Sequence, residues 1–413
     1  MARICLVRQG YFPLDPRVSR EVQALVEAGH EVDILCAGLA GQPRLERSGA
    51  ITLHRLPIKR RRGSPVRYLF EFTMFFVWAA LLITALHLRR RYDVVQVNTV
   101  PDTHVFAALV PRLLGARVVL DLHECMPEFF ATKYRLPPRH AFVRLLGALE
   151  QASIRFAHSV ITCTEPMRAR FVARGARPEK IAVILNSANE DVFDCDRPRR
   201  SDRSADEFVL ICHGTIEEIF GVDTIVRAVA LLGDRIPGLR LEIYGDGSFR
   251  PTIEALVSEL GVAGRVSLSR GFVPMTQLID AIASADAGVV PTKRDDFRDL
   301  THCNKMFDFI AMRKPAIVAR TPAVEAYFDE SCFQMFESRN EHDLARAIVE
   351  LHADTDLRER LVRRASEVSE PYRWIHQRPR YLEVVERLVL ARARVASARA
   401  PERMTAAERV EEL

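Results

Sequence analysis

Residues 208–244, FVLICHGTIEEIFGVDTIVRAVALLGDRIPGLRLEIY, contain the pattern that decides the fold. An apolar run at 208–212 is followed by a glycine turn at Gly214, by a helical pattern that begins near Val222, and by a second apolar run at 240–244. Short continuous apolar runs of this kind are typical of strands buried on both faces of a parallel sheet. The order of strand, helix and strand therefore predicts a βαβ unit.

The same alternation extends in both directions from this stretch and indicates doubly wound α/β sheets. It is interrupted once, at 194–207, where DCDRPRRSDRSADE is polar, charged and without periodicity, as in a linker. We therefore expect two Rossmann-like lobes of similar size whose carboxyl strand edges face a shared cleft. The predicted strands lie at 4–7, 32–36, 52–56, 94–97, 118–122, 159–163, 181–185, 208–212, 240–244, 266–268, 287–290, 316–319 and 333–336.

Composition narrows the class of protein. The 413 residues carry 59 basic and 54 acidic side chains, and a net charge of +5 is too small to indicate a nucleic-acid partner. No two of the eight cysteines have C-x-x-C spacing, no D-x-D motif stands at a predicted strand end, and no His pair has the spacing of metal ligands. The N-terminus, MARICLVRQG, lacks the apolar core of a signal peptide. We therefore expect a cytoplasmic protein, and these motifs indicate no metal site.

The most apolar segment is YLFEFTMFFVWAALLITALHL at 68–88, which basic clusters flank on both sides. Three interpretations remain open. The segment could span a membrane, although Glu71 shortens its uncharged stretch. It could be a buried helix of the first lobe, or it could dock on that lobe and dip into an anionic membrane surface; the last two are compatible. The expected membrane or acceptor surface comprises Arg17, Arg60, Arg61, Phe75, Trp78 and Arg89.

Seven segments along the chain form a recognisable series. They are GYFPLDPRVSREVQAL, DLHECMPEFF, HGTIEEIFGVDTIVRAVALL, YGDGSF, GFVPMTQL, ADAGVVPTKRDDF and NKMFDFIAMRKPAIVAR, which begin at residues 10, 121, 213, 244, 271, 285 and 304. Taken in order, they resemble the retaining glycosyltransferases of family 4. The resemblance implies a GT-B fold and metal-independent transfer of a sugar, with retention, from a UDP- or GDP-linked donor to a hydroxyl acceptor. It implies no cofactor, and the apolar segment suggests a lipid-linked or polysaccharide acceptor at the inner face of the plasma membrane.

The resemblance also completes the domain organisation, because this fold usually ends in a helix that crosses back onto the first lobe. The first, acceptor-binding lobe is expected to comprise residues 1–193, followed by the linker at 194–207. The second, nucleotide-sugar-binding lobe follows at 208–370, the crossing helix at 371–393, and a tail rich in Ala, Arg and Glu at 394–413.

Candidate catalytic residues lie at predicted strand ends. His123 and Glu124 end a buried strand at the edge where ligands bind in α/β folds. The resemblance implies that His123 contacts the transferred sugar, and Glu124 could accept the acceptor proton. Glu128 is a second candidate base. Asp295 is expected to stand for the first acid of the family's acidic pair, displaced by an insertion.

Candidate donor-binding residues follow other strand ends. Gly214 and Thr215 form a turn before a helix, which suits a diphosphate. The resemblance places Lys305 at the phosphates and Asp308 at the ribose hydroxyls. The other predicted donor-binding residues are Gly10, where backbone can approach a ligand, Gly245 and Gly247, which shape the nucleotide cleft, and Val273, which holds the base through its backbone.

Two positions depart from the family pattern. The family's phosphate-binding Arg and Lys are replaced by Thr215 and Phe220. The sequence leaves the phosphate charge to Lys305, Lys293 or Arg294. The departure keeps one alternative open, a non-catalytic nucleotide-binding scaffold of a glycan pathway. A nucleotide-sugar 2-epimerase is a second alternative, because it shares the architecture.

Overall fold

Two parallel α/β lobes face each other in the computed structural model. It describes residues 1–57, 65–188, 190, 192–193, 195–197, 204 and 206–399. Most of the predicted linker at 194–207, and the predicted tail from 400 onwards, lie outside the described residues. The predicted fold class, two doubly wound lobes, is confirmed.

In the first lobe, the described residues form an eight-stranded sheet. Its order is β3-β4-β2-β1-β5-β6-β7-β8, and every neighbouring pair is parallel except β3 and β4. The strands are β1 (Arg3–Tyr11), β2 (Glu31–Ala37), β3 (Leu45–Ser48), β4 (Ile51–Leu56), β5 (Val94–Asn98), β6 (Arg117–Leu122), β7 (Ser159–Thr162) and β8 (Ile181–Val183).

In the second lobe, the described residues form a six-stranded, all-parallel sheet. Its order is β11-β10-β9-β12-β13-β14. The strand order therefore switches between β9 and β12, where strands are added on one side before this point and on the other side after it. Ligands bind α/β sheets at such a switch. The strands are β9 (Phe208–His213), β10 (Leu239–Tyr244), β11 (Val266–Leu268), β12 (Ala287–Val290), β13 (Ala316–Arg320) and β14 (Gln334–Glu337).

Helices cover both sheets, and the first shows how the sequence sets their ends. Asp15 accepts a hydrogen bond from the backbone N–H of Val18, Pro16 occupies the first turn, and Gly29 ends the segment at φ +81°. The α-helices are α1 (Pro16–Glu27), α2 (Pro65–Arg90), α3 (Leu109–Leu113), α4 (Met126–Tyr134), α5 (Ala141–Phe156), α6 (Glu165–Ala173), α7 (Val222–Leu232), α8 (Arg250–Glu259), α9 (Met275–Ser284), α10 (Lys305–Ala311), α11 (Pro322–Glu325), α12 (Glu341–Ala353), α13 (Thr355–Ser369) and α14 (Trp374–Arg399); 3₁₀ helices lie at Asp102–Ala108, Pro178–Lys180, Glu218–Phe220, Gly233–Arg235 and Glu370–Tyr372.

The last helix, α14, packs on the first lobe. Tyr381 is fully buried in the core between α1 and the first sheet, and its hydroxyl donates to Gln96 Oε1 at 2.8 Å. Gln377 Oε1 accepts from the backbone N–H of Leu185 at 3.0 Å. The helix continues to Arg399, beyond the predicted end of the crossing helix at 393.

Helix α2 places one side in the core of the first lobe and leaves the other exposed. Phe75, Ala79 and Ile83 are spaced by four residues, which brings them onto the buried side. Phe75, predicted at the membrane surface, is only 1% exposed, and Trp78 packs against the same core. The prediction for Phe75 was wrong because a helix that is apolar on every side does not reveal its orientation, whereas half-buried Trp78 stays a prediction.

Other predicted surface residues also lie elsewhere. Arg17 is buried beneath the carboxyl edge of the first sheet, where Asp121 neutralises it. Arg89 is exposed at the end of α2, as expected, whereas Arg60 and Arg61 lie outside the described residues. Gly10 belongs to β1 and does not begin a loop, because the strand continues to Tyr11 past an irregularity in its pairing with β2.

Candidate functional site

The carboxyl edges of the two sheets meet across a cleft, and the loop between β12 and α10, residues 291–304, bridges it. Leu300 of this loop packs into the core of the first lobe, and its carbonyl accepts from Thr164 Oγ1 at 2.6 Å. The rings of Phe297 and Phe129 meet edge to face with centroids 5.3 Å apart. The loop therefore holds residues of the second lobe against the first.

His123 is held from behind by a buried polar network at the end of β6. Its Nε2 lies 2.9 Å from Asp121 Oδ2, and its backbone N–H donates to Thr99 Oγ1 at 3.1 Å. Burial alone would raise the pKa of Asp121, but the charge of Arg17 and the hydrogen bonds from Arg17 and His123 hold it well below its usual range. Burial lowers the pKa of His123 itself. The imidazole is therefore neutral at pH 7, with the proton on Nε2 assigned from its contact with Asp121.

The same network explains why Arg17 is buried. Its guanidinium donates to both oxygens of Asp121, at 3.1 and 2.8 Å, and to the carbonyl of Ile184. Burial and the charge of Asp121 raise the pKa of the neighbouring Glu21 to about 8. Arg17 thus orients the group that orients His123.

Glu124 has the proton affinity of a general base. Burial raises the pKa of its carboxyl group to about 7, while the positive charges of Arg298 and Arg8 act in the opposite direction. A base works best when its pKa lies near the working pH. Glu128, the second candidate, instead forms ion pairs with Arg170 and Arg174. The structure therefore favours Glu124 over Glu128.

On the opposite side of the cleft, backbone turns come so close that only glycine fits. At Gly245, φ is +155°, and a Cβ atom would lie 1.8 Å from the carbonyl oxygen of Gly214. A Cβ atom on Gly214 itself, where φ is +103°, would lie 2.5 Å from Lys305 Cε. Thr215 is half-buried immediately after this turn. These glycines let the β9 and β10 turns pack beside the start of α10.

Gly247 and Val273 belong to the same rim. A Cβ atom on Gly247 would lie 2.1 Å from the carbonyl oxygen of Ile216. An isolated antiparallel bridge joins Gly245 to Gly271, which brings half-buried Val273 next to the glycine turns. The structure therefore brings the predicted second-lobe residues together, whereas Gly10 lies in the first sheet.

Asp308 faces a buried histidine across the first turn of α10. Its Oδ2 lies 3.6 Å from His213 Nε2, beyond hydrogen-bond distance. Burial raises the pKa of Asp308 to about 7, although the charges of Lys305 and Arg20 lower it. Burial and Lys305 lower the pKa of His213 to about 3, so His213 is neutral. The carboxylate thus keeps hydrogen-bonding capacity for a ligand.

Of the cations that the sequence offers for a diphosphate, two are already neutralised. Lys293 Nζ lies 2.7 Å from Asp223 Oδ2. Arg294 makes two hydrogen bonds to Asp299, at 2.9 and 2.8 Å. Lys305 Nζ lies 4.5 Å from the ring centroid of Phe220. Lys305 therefore remains as the predicted phosphate contact.

Arg298 is a second available cation that sequence reasoning missed. Its guanidinium carbon lies 4.7 Å from the centroid of Phe220, so Arg298 and Lys305 both lie against that ring. Among the described residues, no carboxylate forms an ion pair with Arg298, and its buried Nε has no hydrogen-bond partner. A signal was present, since an Arg in the inserted loop could compensate for the missing family cations.

The carboxylate of Asp295 makes a local contact. Its Oδ1 accepts from the backbone N–H groups of Phe297 and Arg298, at 2.9 and 2.7 Å. It thereby caps the turn that presents Arg298 to the cleft. Its predicted catalytic role remains a prediction. Among the described residues, no group of three or more His, Cys, Asp or Glu side chains could hold a metal ion.

Comparisons with solved structures agree on the fold. The chain is similar to sucrose-phosphate synthase from Thermosynechococcus elongatus, with a TM-score of 0.76 at 19% identity over 95% of this chain and 100% of that one. It is also similar to HepE from Anabaena in complex with UDP and glucose, with a TM-score of 0.69 at 15% identity over 94% and 100% of the two chains.

Comparisons of sequence find glycosyltransferase relatives and two glycosyltransferase domains. A 2-deoxystreptamine glucosyltransferase of Streptomyces kanamyceticus is 26% identical over 68% of this chain and 75% of its own length. The lipopolysaccharide core biosynthesis glycosyltransferase LpsE of Rhizobium meliloti is 29% identical over 50% of this chain and 58% of its own length. A glycosyl transferase 4-like domain matches residues 14–187, and a glycosyl transferases group 1 domain matches residues 207–354. The chain therefore carries a glycosyl transferase 4-like domain followed by a glycosyl transferases group 1 domain, on a fold that matches GT-B glycosyltransferase structures.

Proposed function

We propose that the protein transfers a sugar from a UDP- or GDP-linked donor to the hydroxyl group of a lipid-linked or polysaccharide acceptor, without a metal ion or cofactor. One observation carries the proposal. The base Glu124 lies on one side of the cleft, and the two cations Arg298 and Lys305 lie on the other. Retention at the anomeric carbon rests on the family resemblance.

Each group has one task in the proposed reaction. Lys305 and Arg298 stabilise the negative charge that develops on the diphosphate as the bond from the anomeric carbon to phosphate oxygen breaks. Asp308 accepts hydrogen bonds from the ribose hydroxyls. The acceptor oxygen bonds to the anomeric carbon on the face that the phosphate oxygen leaves, as retention without a protein nucleophile requires, and its proton passes to Glu124. His123, fixed by Asp121, contacts the sugar.

We also propose that the protein works in the cytoplasm at an anionic membrane. Helix α2 from Arg67 to Arg90 is long and apolar enough to cross a membrane by length and composition, but one side of it is in the core. Its opposite side exposes Phe70, Leu81 and Leu88 by 64%, 69% and 64%. An exposed apolar stripe ending in arginines is typical of a peripheral contact with anionic lipid.

Thermal unfolding tests the donor site. The melting temperature is measured with UDP, GDP, ADP and TDP, each with and without EDTA. We expect one nucleotide to raise it by mass action, equally with EDTA. Glu124→Gln should retain this increase but lose sugar transfer from the matching nucleotide sugar to a membrane lipid extract. If no nucleotide stabilises the protein, the proposed function is wrong. If Glu124→Gln transfers sugar at the wild-type rate, Glu124 is not the base.

Vesicle co-sedimentation tests the membrane contact separately. Wild type should sediment with vesicles that contain phosphatidylglycerol and not with pure phosphatidylcholine, while Leu81→Glu should stay in solution. Equal sedimentation of wild type and Leu81→Glu would contradict the proposed orientation of α2.

A further inference from the structure

A large apolar cavity opens in the first lobe next to the reaction cleft. Its volume is about 1000 Å³, and α2, α4, α5 and the 3₁₀ helix Asp102–Ala108 form its walls. Most of the lining is aromatic or aliphatic, including Tyr68, Phe72, Phe130 and Leu145. Monomeric proteins rarely leave such a surface open without a ligand.

Two nitrogen-bearing side chains line this cavity, one neutral and one positively charged. His104 is neutral, because burial lowers its pKa to about 4, and its Nε2 lies 3.2 Å from the carbonyl oxygen of Phe72. Lys133 Nζ lies 5.1 Å from the ring centroid of Tyr68 and 5.7 Å from that of Phe129. Among the described residues, no carboxylate forms an ion pair with Lys133. The cavity is thus mostly apolar, with one cation among its aromatic side chains and two carboxyl groups in its wall, Asp102 and the Glu150 that pairs with Arg174.

The cavity lies beside the reaction cleft, along helix α4. Met126 and Phe129 line it, two and five positions after Glu124 in the chain, and Phe129 contacts Phe297 in the loop that bridges the lobes. Asp102 also lines it, is 2% exposed, and has no hydrogen-bond partner for either carboxyl oxygen among the described residues. Asp102 lies close enough to Glu124 for their charges to interact.

We propose that this cavity binds the hydrocarbon chain of a phosphate-bearing lipid acceptor. The chain lies among the aromatic side chains, the lipid phosphate pairs with Lys133, and the head-group hydroxyl reaches Glu124. Asp102, the unpartnered carboxyl group between cavity and cleft, hydrogen-bonds the head group. This inference rests on the proposed function and specifies its acceptor.

The chain supplies a matched pair of variants. Leu69 and Leu81 lie on α2 and are 66% and 69% exposed, but only Leu69 lines the cavity. Either leucine can change to glutamate with little effect on the core, since both side chains face solvent. A docked membrane or a second copy of the chain would cover both positions, whereas a single bound lipid chain would contact only Leu69.

The probe is 11-(dansylamino)undecanoic acid, used without vesicles and displaced by dodecyl phosphate or by dodecanol. We expect one probe per protein, affinity weakened about tenfold or more in Leu69→Glu because a charge enters an apolar site, and unchanged affinity in Leu81→Glu. Lys133→Ala should weaken displacement by dodecyl phosphate and leave displacement by dodecanol unchanged.

The inference would be overturned if the probe does not bind or if several probes bind per protein. It would also be overturned if Leu69→Glu and Leu81→Glu lose the same amount of probe affinity. If both variants lose probe affinity equally and both elute as monomers in gel filtration where wild type elutes as a dimer, the surface binds a second copy of the chain. The nucleotide-dependent melting temperature is measured on the same variants. If it persists while the probe does not bind, only the lipid site fails; if it is absent from wild type, the proposed function fails as well.

Discussion

Replacing Asp308 with asparagine should stabilise the empty protein and abolish donor binding at the same time. Burial raises the pKa of this carboxyl group from 3.8 to about 7, so the folded state disfavours its ionised form. The unfolded chain ionises the group above pH 3.8, and the folded state loses stability as the pH rises from there to 7. Asparagine has nearly the same shape without the charge and escapes this loss.

The magnitude follows from the two pKa values. At about 1.36 kcal/mol for each pH unit between them, the ionised carboxylate costs at most about 4 kcal/mol above pH 7. At pH 5.5 only part of this cost is present, so the stability gained by Asp308→Asn should be about 2 kcal/mol larger at pH 8 than at pH 5.5. For a chain of this length, 2–4 kcal/mol corresponds to an increase of roughly 2–5 °C in melting temperature.

The assay compares wild type, Asp308→Asn and Asp296→Asn by thermal unfolding at both pH values, with and without the nucleotide that stabilises wild type. Asp296 is exposed in the adjacent loop, so its variant should match wild type throughout. A destabilised Asp308→Asn at both pH values would refute the reasoning, because it would show that the native carboxylate is ionised and paired. Retained stabilisation by nucleotide would remove Asp308 from the donor site.

Three further variants test the cleft. Glu124→Gln should lower kcat by about 10²–10⁴-fold, and wild-type kcat/KM should rise with pH through about 7, because the base must be ionised. Arg298→Ala should weaken nucleotide binding about tenfold or more in calorimetry, whereas Arg294→Ala, which removes an arginine already paired with Asp299, should leave it nearly unchanged. Gly245→Ala should cost about 2–4 kcal/mol in urea unfolding, since its Cβ atom would clash with backbone, while Gly261→Ala, also at positive φ but in open space, should cost about 1 kcal/mol.

The sequence predicted the two sheets well because each buried strand is a continuous apolar run. It missed β3 (Leu45–Ser48), whose four residues are all exposed and carry no apolar run. It could not orient α2, because its apolar side chains surround the helix and only contact with the sheet selects the side that carries Phe75. These differences arise from tertiary packing, which periodicity does not encode.

In the candidate site, chain topology placed His123 and Glu124 correctly at the end of a buried strand. Arg17 was assigned to the surface because an arginine on a helix is usually solvated, and the buried Asp121 that pairs with it lies 104 residues away. Arg298 was missed because its approach to Phe220 joins a loop without periodicity to a different βα turn. Long-range partners of charged residues are what a single sequence does not reveal.

The return of α14 to the first lobe makes the second lobe an insertion within the first. The hydroxyl of Tyr381 and the side chain of Gln96, which meet in the first core, are separated by 285 positions of chain. Contacts so distant in sequence form late, so the first lobe completes its core only after the second has been synthesised. Proteolysis within 194–207 should therefore leave two fragments that remain associated, since α14 still anchors the downstream fragment in the upstream one.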